Sequence, residues 1–396
     1  MTHFISGNQI KLLRNGAEYF PALEAAIENA TTEIYLQTYI YEADATGRRI
    51  GDALRQAAQR GVSVNLLLDG FGCKELSKNY VQELEAAGVQ VMFYRPKISP
   101  WTLKKSRLRR LHRKVAVIDN SVAFVGGINI IDDYDVPHNS PPRIDYAVQI
   151  QGPLLATIAA SVHSLWRRIT WAHFRHVTAA DTHLPHQIKP PLLPLHPENK
   201  SASEHVKAAF VFRDNVLHRR DIEHAYLAAI THAKTEIIIA NAYFVPGRKF
   251  RKSLIDAAKR GVKVQLLLQG RKEYFLMFAT HAFYNVFLEN GIEVYEYRKS
   301  FMHSKVAVID AYWATVGSSN IDPFSLLLGH EANVMIQDKS FAAELRSSIV
   351  ASMDEGAYRI HQQEWVHGNI AKRFTSWLAY GFVRVFLGII GYSNEQ

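Results

Sequence analysis

The chain has 396 residues, of which 48% are hydrophobic and 21% charged, a composition that argues against a disordered chain and against a bundle of membrane-spanning helices. This length predicts two domains of roughly 150 to 200 residues each. The formal net charge of +9 favours a polyanionic partner, either nucleic acid or anionic lipid, but does not decide between them. The single cysteine, Cys73, excludes an intramolecular disulfide, and the polar first residues show no signal-peptide core, so we expect a cytoplasmic protein.

Helix and strand patterns alternate along the chain, and those of the first half recur in the second half. The first matched pair is a helix end that runs into a β-branched and aromatic strand, and the second is a helix, a glycine and a buried strand. The matched segments, in the same order in both halves, are 26–41 with 229–244, 54–70 with 254–270, 84–96 with 288–299, and 111–129 with 302–320. The chain is therefore a tandem duplication.

Such alternation predicts an α/β fold with two homologous lobes, each a mixed β-sheet flanked by helices, packed about a pseudo-two-fold axis. We place the first lobe at 1–177 and the second at 205–365. Five prolines make 178–204 unsuitable for a helix or a central strand, so we interpret it as the linker. Equivalent loops of the two lobes would meet at the axis, which allows one active site to be built from both.

The same short motif occurs at equivalent points of the two halves. Each copy is His-x-Lys-x4-Asp followed by a glycine-containing turn and an asparagine. The matched residues are His112, Lys114, Asp119 and Asn129 in the first half, and His303, Lys305, Asp310 and Asn320 in the second. A single match has a chance of about 5% in a chain of this length, but two matches at equivalent points of a repeat are far less probable by accident.

The residue types of the motif point to phosphate chemistry. The apolar residues after each lysine predict a buried strand, on which His112 and Lys114 point to one side, as do His303 and Lys305. A lysine beside a histidine disfavours a bound metal cation, whereas its ammonium group suits phosphate oxygens. We expect Asn129, Ser318 and Asn320 to bind the remaining phosphate oxygens as hydrogen-bond donors.

These motifs identify the chain as resembling the phospholipase D superfamily over nearly its whole length, both lobes included. The resemblance implies that one histidine attacks phosphorus to form a covalent phosphohistidine, and that the other protonates the leaving oxygen and then deprotonates the acceptor. It also implies catalysis without a cofactor or metal. We assign His112 as the nucleophile and His303 as acid and then base, although the residues themselves do not break this symmetry.

The resemblance also suggests roles for acidic residues outside the histidine–lysine pairs. Asp145 and Glu331, downstream of the two motifs, match the family's histidine-orienting carboxylates. Asp119 and Asp310 count among the catalytic candidates as members of the motif. Because they follow their histidines by seven residues, we expect them to brace the lobe interface rather than to touch substrate. One departure is Gly127, where the general family has serine, as Ser318 is in the second copy. The two half-sites are therefore not expected to be equivalent.

Within the superfamily, the GGIN turn at 126–129 and the AYFVP segment at 242–246 are similar to short bacterial cardiolipin synthases. That resemblance implies transfer of a phosphatidyl group from one phosphatidylglycerol to another, with release of glycerol. It also implies a peripheral enzyme on the cytoplasmic face of the inner membrane, with anionic phospholipid as its partner and no nucleic acid. No protein partner can be inferred from the sequence.

Two further features favour a membrane surface, and each has a structural alternative. The basic stretch Lys104 to Arg110 would attract anionic head groups, but it can also be a solvated loop. Apolar residues on one face of 366–396 predict an amphipathic helix lying in the membrane interface, although the same pattern suits a helix docked on the protein core. The alternative function is a phospholipase D-type hydrolase or a nuclease that cleaves a phosphodiester with the same two histidines.

Overall fold

A computed structural model describes residues 2–96, 109–136, 140–177, 206–214, 218–270, 280–322, 329–367 and 381. The predicted linker 178–204, most of the basic stretch 104–110 and nearly all of the predicted helix 366–396 lie outside the described residues. The linker, the membrane helix and the domain limits drawn from them therefore stay predictions.

The two halves repeat one order of elements. The first half contains β1 Ile5–Arg14, α1 Asn15–Glu28, β2 Glu33–Thr38, α2 Ala45–Gln59, β3 Ser63–Asp69, α3 Lys78–Ala86, β4 Gln90–Tyr94, β5 Arg110–Leu111, β6 Lys114–Ile118, β7 Val122–Gly126, β8 Ser140–Ile144, β9 Tyr146–Gln151 and α4 Leu155–Val177. The second half contains β10 Val206–Arg213, α5 Asp221–His232, β11 Glu236–Asn241, α6 Arg248–Lys259, β12 Lys263–Gln269, α7 Tyr284–Glu289, β13 Glu293–Tyr297, β14 Ser300–Met302, β15 Lys305–Ile309, β16 Trp313–Gly317, β17 Gly329–Gln337, α8 Lys339–Gly356, β18 Ala357–Arg359 and α9 Gln362–His367.

Local sequence explains where the repeated helix–strand units begin and end. The Asp44 side chain accepts a hydrogen bond from the Gly47 amide at 2.8 Å and so caps the start of α2. At the helix ends, Gly61 and Gly261 adopt φ of 93° and 88°, a left-handed conformation that favours glycine. The strands that follow, β3 and β12, are buried at every position after the first, as their continuous apolar runs require.

Each lobe contains a mixed sheet with the same strand arrangement. The first has the order β1-β9-β7-β6-β2-β3-β4 and the second β10-β17-β16-β15-β11-β12-β13-β18. β2, β3 and β4 run parallel, as do β11, β12 and β13, whereas the motif strands β6 and β15 are antiparallel to their neighbours. β1 and β10 pair antiparallel and join the two sheets. The predicted fold class of two homologous α/β lobes is confirmed.

The lobes share one core. Apolar side chains from β6, β7 and β9 of the first sheet pack in a single cluster with those from β15, β16 and β17 of the second, together with residues of α4 and α8. Separate clusters fill the outer faces, under α1 and α2 in the first lobe and under α5 and α6 in the second. Because both motif strands contribute to the shared core, the histidines that precede them lie where the lobes meet.

Candidate active site

Each motif histidine is held by the main chain of the other lobe. The His112 amide donates to the carbonyl of His330 at 3.0 Å, and the His303 amide donates to the carbonyl of Ile144 at 2.8 Å. Short cross-lobe strand pairs lead into both contacts, β5 with β17 and β14 with β8. The imidazoles keep 17% and 12% of their side-chain surface exposed, so both remain reachable by a ligand.

The carboxylates that face these imidazoles are also exchanged between the lobes. Nδ1 of His112, in the first lobe, lies 2.9 and 3.1 Å from the two carboxylate oxygens of Glu331 in the second. Nδ1 of His303 lies 2.7 Å from Oδ2 of Asp145 in the first lobe. A carboxylate at Nδ1 fixes the tautomer in which Nε2 carries the free lone pair. Both histidines therefore present Nε2 to the site.

Two buried lysines lie beside the histidines. Lys114 and Lys305 are 3% and 0% exposed, and each Nζ donates to the carbonyl of the histidine two residues before it. Burial lowers the pKa of Lys114 to about 7, with the nearby Glu331 carboxylate opposing this shift. Burial likewise lowers the pKa of Lys305 to about 8. Lys305 Nζ also lies 4.0 Å from Oδ2 of Asp145. A bound anion would favour the charged form of both desolvated ammonium groups.

Both imidazoles are neutral at physiological pH. Burial lowers the pKa of His112, and Lys114 lowers it further against the opposing effect of Glu331. Burial, together with the positive charges of Lys305 and Lys114, lowers the pKa of His303 well below its usual value. Because each lysine acts on the histidine of the other lobe, the two half-sites form one electrostatic unit. A neutral imidazole has the lone pair that nucleophilic attack requires.

Aromatic rings form the walls of the two half-sites. Tyr39 packs against His112 with ring centroids 4.7 Å apart, and the Lys114 ammonium lies 5.4 Å from the same tyrosine ring. On the other side, Phe301 stacks on His303 at 6.0 Å with an interplanar angle of 19°. The motif does not include Phe301, although it lies two residues before His303 on the same segment.

Comparison with known proteins places this geometry in a family. The model of the cardiolipin synthase, phospholipase D-like domain matches residues 23–134 and 226–352. Cardiolipin synthase B of Salmonella typhimurium is 39% identical over 392 residues, covering 98% of this chain and 90% of that protein, and cardiolipin synthase B of Escherichia coli K12 is 37% identical over 402 residues. The chain belongs to the cardiolipin synthase family. The expected superfamily, its cardiolipin synthase branch and a phosphatidyltransferase type of enzyme are confirmed.

A solved structure supports the fold independently of close sequence similarity. Phosphatidylserine synthase of Haemophilus influenzae aligns over 99% of this chain and 97% of its own, with a TM-score of 0.68 at 14% identity. At that identity the likeness shows the fold alone. Among the described helices of this cardiolipin synthase family member, none is long and apolar enough to cross a membrane.

The motif aspartates do not have the structural role expected for them. Asp119 accepts hydrogen bonds from the Thr31, Thr32 and Glu33 amides and from both threonine hydroxyls, all within its own lobe. Asp310 binds the equivalent loop at 234–236 in the second lobe. The expectation that they brace the lobe interface is wrong, because both carboxylates bind loops of their own lobe, at the end of the strand roughly 20 Å from the histidine. Their place among catalytic candidates is corrected for the same reason.

We expect Asp119→Ala to lower the free energy of unfolding by about 2 to 4 kcal/mol, because several amide and hydroxyl donors lose a charged acceptor. Although burial opposes it, this hydrogen bonding lowers the pKa of Asp119 to about 2. Its stabilisation is therefore present above the unfolded-state pKa and lost as the pH falls towards 2. Urea unfolding would measure the loss, with Glu75→Gln, 85% exposed, as the matched control. Loss of activity per folded molecule without loss of stability would contradict this structural role.

The expected phosphate donors have different environments. Asn129 accepts a hydrogen bond from the Ile40 amide at 3.2 Å through its Oδ1, and Asn320 is buried with 3% exposure. The Ser318 hydroxyl donates to Oε2 of Glu331 at 2.5 Å and accepts from the Ala332 amide at 3.0 Å. The expectation that Ser318 contacts phosphate is therefore corrected: its hydroxyl holds the carboxylate that orients His112. The phosphate-binding role of the two asparagines stays a prediction.

The glycine at the equivalent position of the first motif has a steric cause. A Cβ on Gly127 would lie 2.3 Å from Oδ1 and 2.6 Å from Oδ2 of Asp145. Serine fits beside the longer Glu331, whereas the shorter Asp145 occupies the space that a side chain at Gly127 would need. Gly127 with Asp145, and Ser318 with Glu331, are thus two alternative solutions for holding a carboxylate at an imidazole.

We expect Gly127→Ser to reduce transfer roughly tenfold to a hundredfold, because it displaces the carboxylate that orients His303. Adding Asp145→Glu in the same chain is expected to restore part of the activity, since it recreates the serine–glutamate pair of the other half-site. Initial rates of product formation on lipid vesicles would measure both effects. Equal activity of Gly127→Ser and the unmodified chain, or a double variant worse than either single one, would contradict this account.

Proposed function

We propose that this protein is a cardiolipin synthase that transfers a phosphatidyl group between two phosphatidylglycerol molecules through a covalent phosphohistidine. The observation that carries the proposal is the pair of imidazoles, each oriented through Nδ1 by a carboxylate of the other lobe and flanked by a buried lysine. The cardiolipin synthases at 37 to 39% identity over nearly the whole chain support the choice of substrate.

In the first half-reaction, Nε2 of His112 attacks phosphorus of the donor lipid. The phosphorus–oxygen bond to the terminal glycerol breaks as the nitrogen–phosphorus bond forms, and His303 transfers a proton to the leaving glycerol oxygen. The anionic phosphodiester raises the pKa of the adjacent His303, which allows it to carry that proton. Glu331 stabilises the positive charge that develops on the His112 ring.

In the second half-reaction, His303 is neutral and acts as the base. It removes a proton from a glycerol hydroxyl of the second phosphatidylglycerol, whose oxygen attacks phosphorus and releases Nε2 of His112. The products of the complete cycle are one cardiolipin and one glycerol. Lys114 and Lys305 neutralise the phosphate oxygens in both steps, aided by Asn129 and Asn320, and no cofactor or metal takes part.

A lipid substrate requires the protein to attach to the membrane that contains it. We propose peripheral attachment to the cytoplasmic face of the inner membrane, through the basic stretch 104–110 and the amphipathic segment 366–396. The lobes would comprise 1–177 and 205–365, joined by the linker 178–204. Anionic phospholipid, rather than nucleic acid, is the partner of the basic surface.

The test is incubation of the purified chain with phosphatidylglycerol vesicles and EDTA, with cardiolipin and glycerol followed by mass spectrometry. We expect the two products in equal amounts, and neither product from His112→Ala or His303→Ala. Phosphatidic acid without cardiolipin would identify a hydrolase instead. Cleavage of DNA or RNA, with no lipid product from the same preparation, would identify a nuclease.

A further inference from the structure

We propose that Arg143 binds the phosphate of the acceptor lipid and thereby selects an anionic phospholipid over water or a neutral alcohol as the second substrate. This inference rests on the proposed function and concerns the same site. Nothing in the motifs points to this arginine, which follows the Pro141–Pro142 pair on β8.

Arg143 belongs to the wall of the His303 half-site. Its guanidinium lies 5.6 Å from the centroid of the Phe301 ring, and the same ring stacks on His303 at 6.0 Å. Arg143 also lies two residues before Asp145, which holds Nδ1 of His303 at 2.7 Å. The distance from the guanidinium to the imidazole is therefore no longer than the two ring distances added together. A glycerol unit and a phosphate can bridge this distance.

The charge of Arg143 is available to a ligand on this side. Its Nη2 donates to the Asp135 carbonyl at 3.3 Å, while its buried Nε has no hydrogen-bond partner in the part of the chain that the structure describes. Arg143 interacts electrostatically with His303 and Lys305 at the site, and with Asp133 and Glu42 behind it. Because the Nε edge is buried, a phosphate would bind through the Nη groups, and no salt bridge joins Arg143 to a carboxylate among the described residues.

Each half-site has an arginine, but on a different kind of strand. Arg110 lies on β5, which leads into His112, whereas Arg143 lies on β8, which leads into Asp145. Arg110, two residues before His112, pairs in register with Gly329, two residues before Glu331. In the other half-site the residue two positions before the histidine is Phe301, and the arginine lies on the strand that leads into the carboxylate. Arg110 packs over the Phe71 ring at 5.3 Å. Among the described arginines, Arg143 is the one whose charge acts on His303, the imidazole that we assign to the glycerol oxygens.

The chemistry of the reaction separates the two alcohols by charge. The leaving group, glycerol, is neutral, and so is water, whereas the incoming phosphatidylglycerol has a phosphate one glycerol unit away from its reacting hydroxyl. Both alcohols meet His303. A cation beyond His303 can therefore attract only the acceptor of the forward reaction, and it favours synthesis over glycerol exchange and hydrolysis.

The test compares transfer to two acceptors by the whole 396-residue chain. Phosphatidylglycerol vesicles supply the lipid, and deuterated glycerol is present in the buffer. Cardiolipin measures transfer to an anionic acceptor, and deuterated phosphatidylglycerol measures transfer to a neutral one. In Arg143→Gln we expect the ratio of cardiolipin to exchange to fall about tenfold or more, with hydrolysis to phosphatidic acid increased relative to cardiolipin. Arg143→Lys retains the charge without the planar fork, and we expect an intermediate ratio.

Arg48→Gln is the matched control, because Arg48 also lies over an aromatic ring, 5.5 Å from the centroid of Tyr80, and donates to a main-chain carbonyl, but it is on the exposed side of α2. We expect it to leave the ratio unchanged. An equal fall of both transfers in Arg143→Gln would show a structural role and overturn the inference, as would an unchanged ratio. If the unmodified chain exchanges glycerol but makes no cardiolipin, the proposed function itself fails, an outcome distinct from an unchanged ratio in an active enzyme.

Discussion

Cardiolipin formation is expected to fall by about 10⁴-fold or more in His112→Ala, because no covalent intermediate can form without the nucleophile. His303→Ala is expected to lose about 10² to 10⁴-fold, the usual contribution of a general acid and base. These are the largest effects that the site predicts. The steady-state rate of cardiolipin release from vesicles measures both, with unfolding curves to show that each variant is folded.

An activated donor distinguishes the two histidines. Phosphatidyl-p-nitrophenol needs no proton on its leaving group, so His303→Ala should still release one p-nitrophenol per active site in a burst and then stop. His112→Ala should show no burst. A burst in His112→Ala and none in His303→Ala would reverse the assigned roles, and bursts in neither would exclude a covalent phosphohistidine.

Loss of either orienting carboxylate is expected to reduce transfer by roughly 10²-fold or more, because an amide at Nδ1 no longer fixes the tautomer or stabilises a charged ring. The exchange of carboxylates between the lobes makes the prediction specific. Asp145→Asn lies downstream of the first motif, yet it should behave like His303→Ala and keep the burst with the activated donor. Glu331→Gln lies downstream of the second motif and should behave like His112→Ala.

The opposite pattern, with Asp145→Asn losing the burst and Glu331→Gln keeping it, would contradict the crossed pairing. Asp52→Asn is the matched control, since Asp52 forms a salt bridge with Arg55 on the exposed side of α2 and has 51% of its side chain exposed. We expect it to change neither the burst nor the steady-state rate, because exposed ion pairs contribute little.

Burial shifts the pKa values of the charged groups in the site before substrate binds. Burial lowers the pKa of Lys114 to about 7, that of Lys305 to about 8, and raises the pKa of Asp145 to about 6. Desolvation thus disfavours the charged forms of these three groups in the absence of substrate. An anionic phosphodiester between the lobes compensates both ammonium groups, so the free energy of ionising them is gained mainly when substrate is bound.

The sequence by itself determined the chemistry and the architecture of this protein. Two copies of one motif at equivalent points of a repeat identified His112, His303 and their lysines, since strand alternation places residues two apart on one side. The apolar runs and glycine ends predicted paired α/β lobes, and the twin motifs led to the superfamily. The fold and the family are confirmed, because both inferences depend on local periodicity and on residue type, whereas the catalytic roles of the histidines and lysines stay predictions.

Only the tertiary structure decided which residues meet across the lobes. Glu331 faces His112 and Asp145 faces His303, a pairing that follows from cross-lobe strand contacts between residues more than 150 positions apart. Asp119 lies with its motif in the sequence but at the far end of the strand in space, because an extended chain rises by about 3.3 Å per residue. In the sequence, Gly127 is only a departure from the serine of the family motif. In the structure, the Asp145 carboxylate fills the space that a side chain at this position would need. Sequence order specifies neighbours along a strand, whereas the packing of two twisted sheets selects the partners of each imidazole.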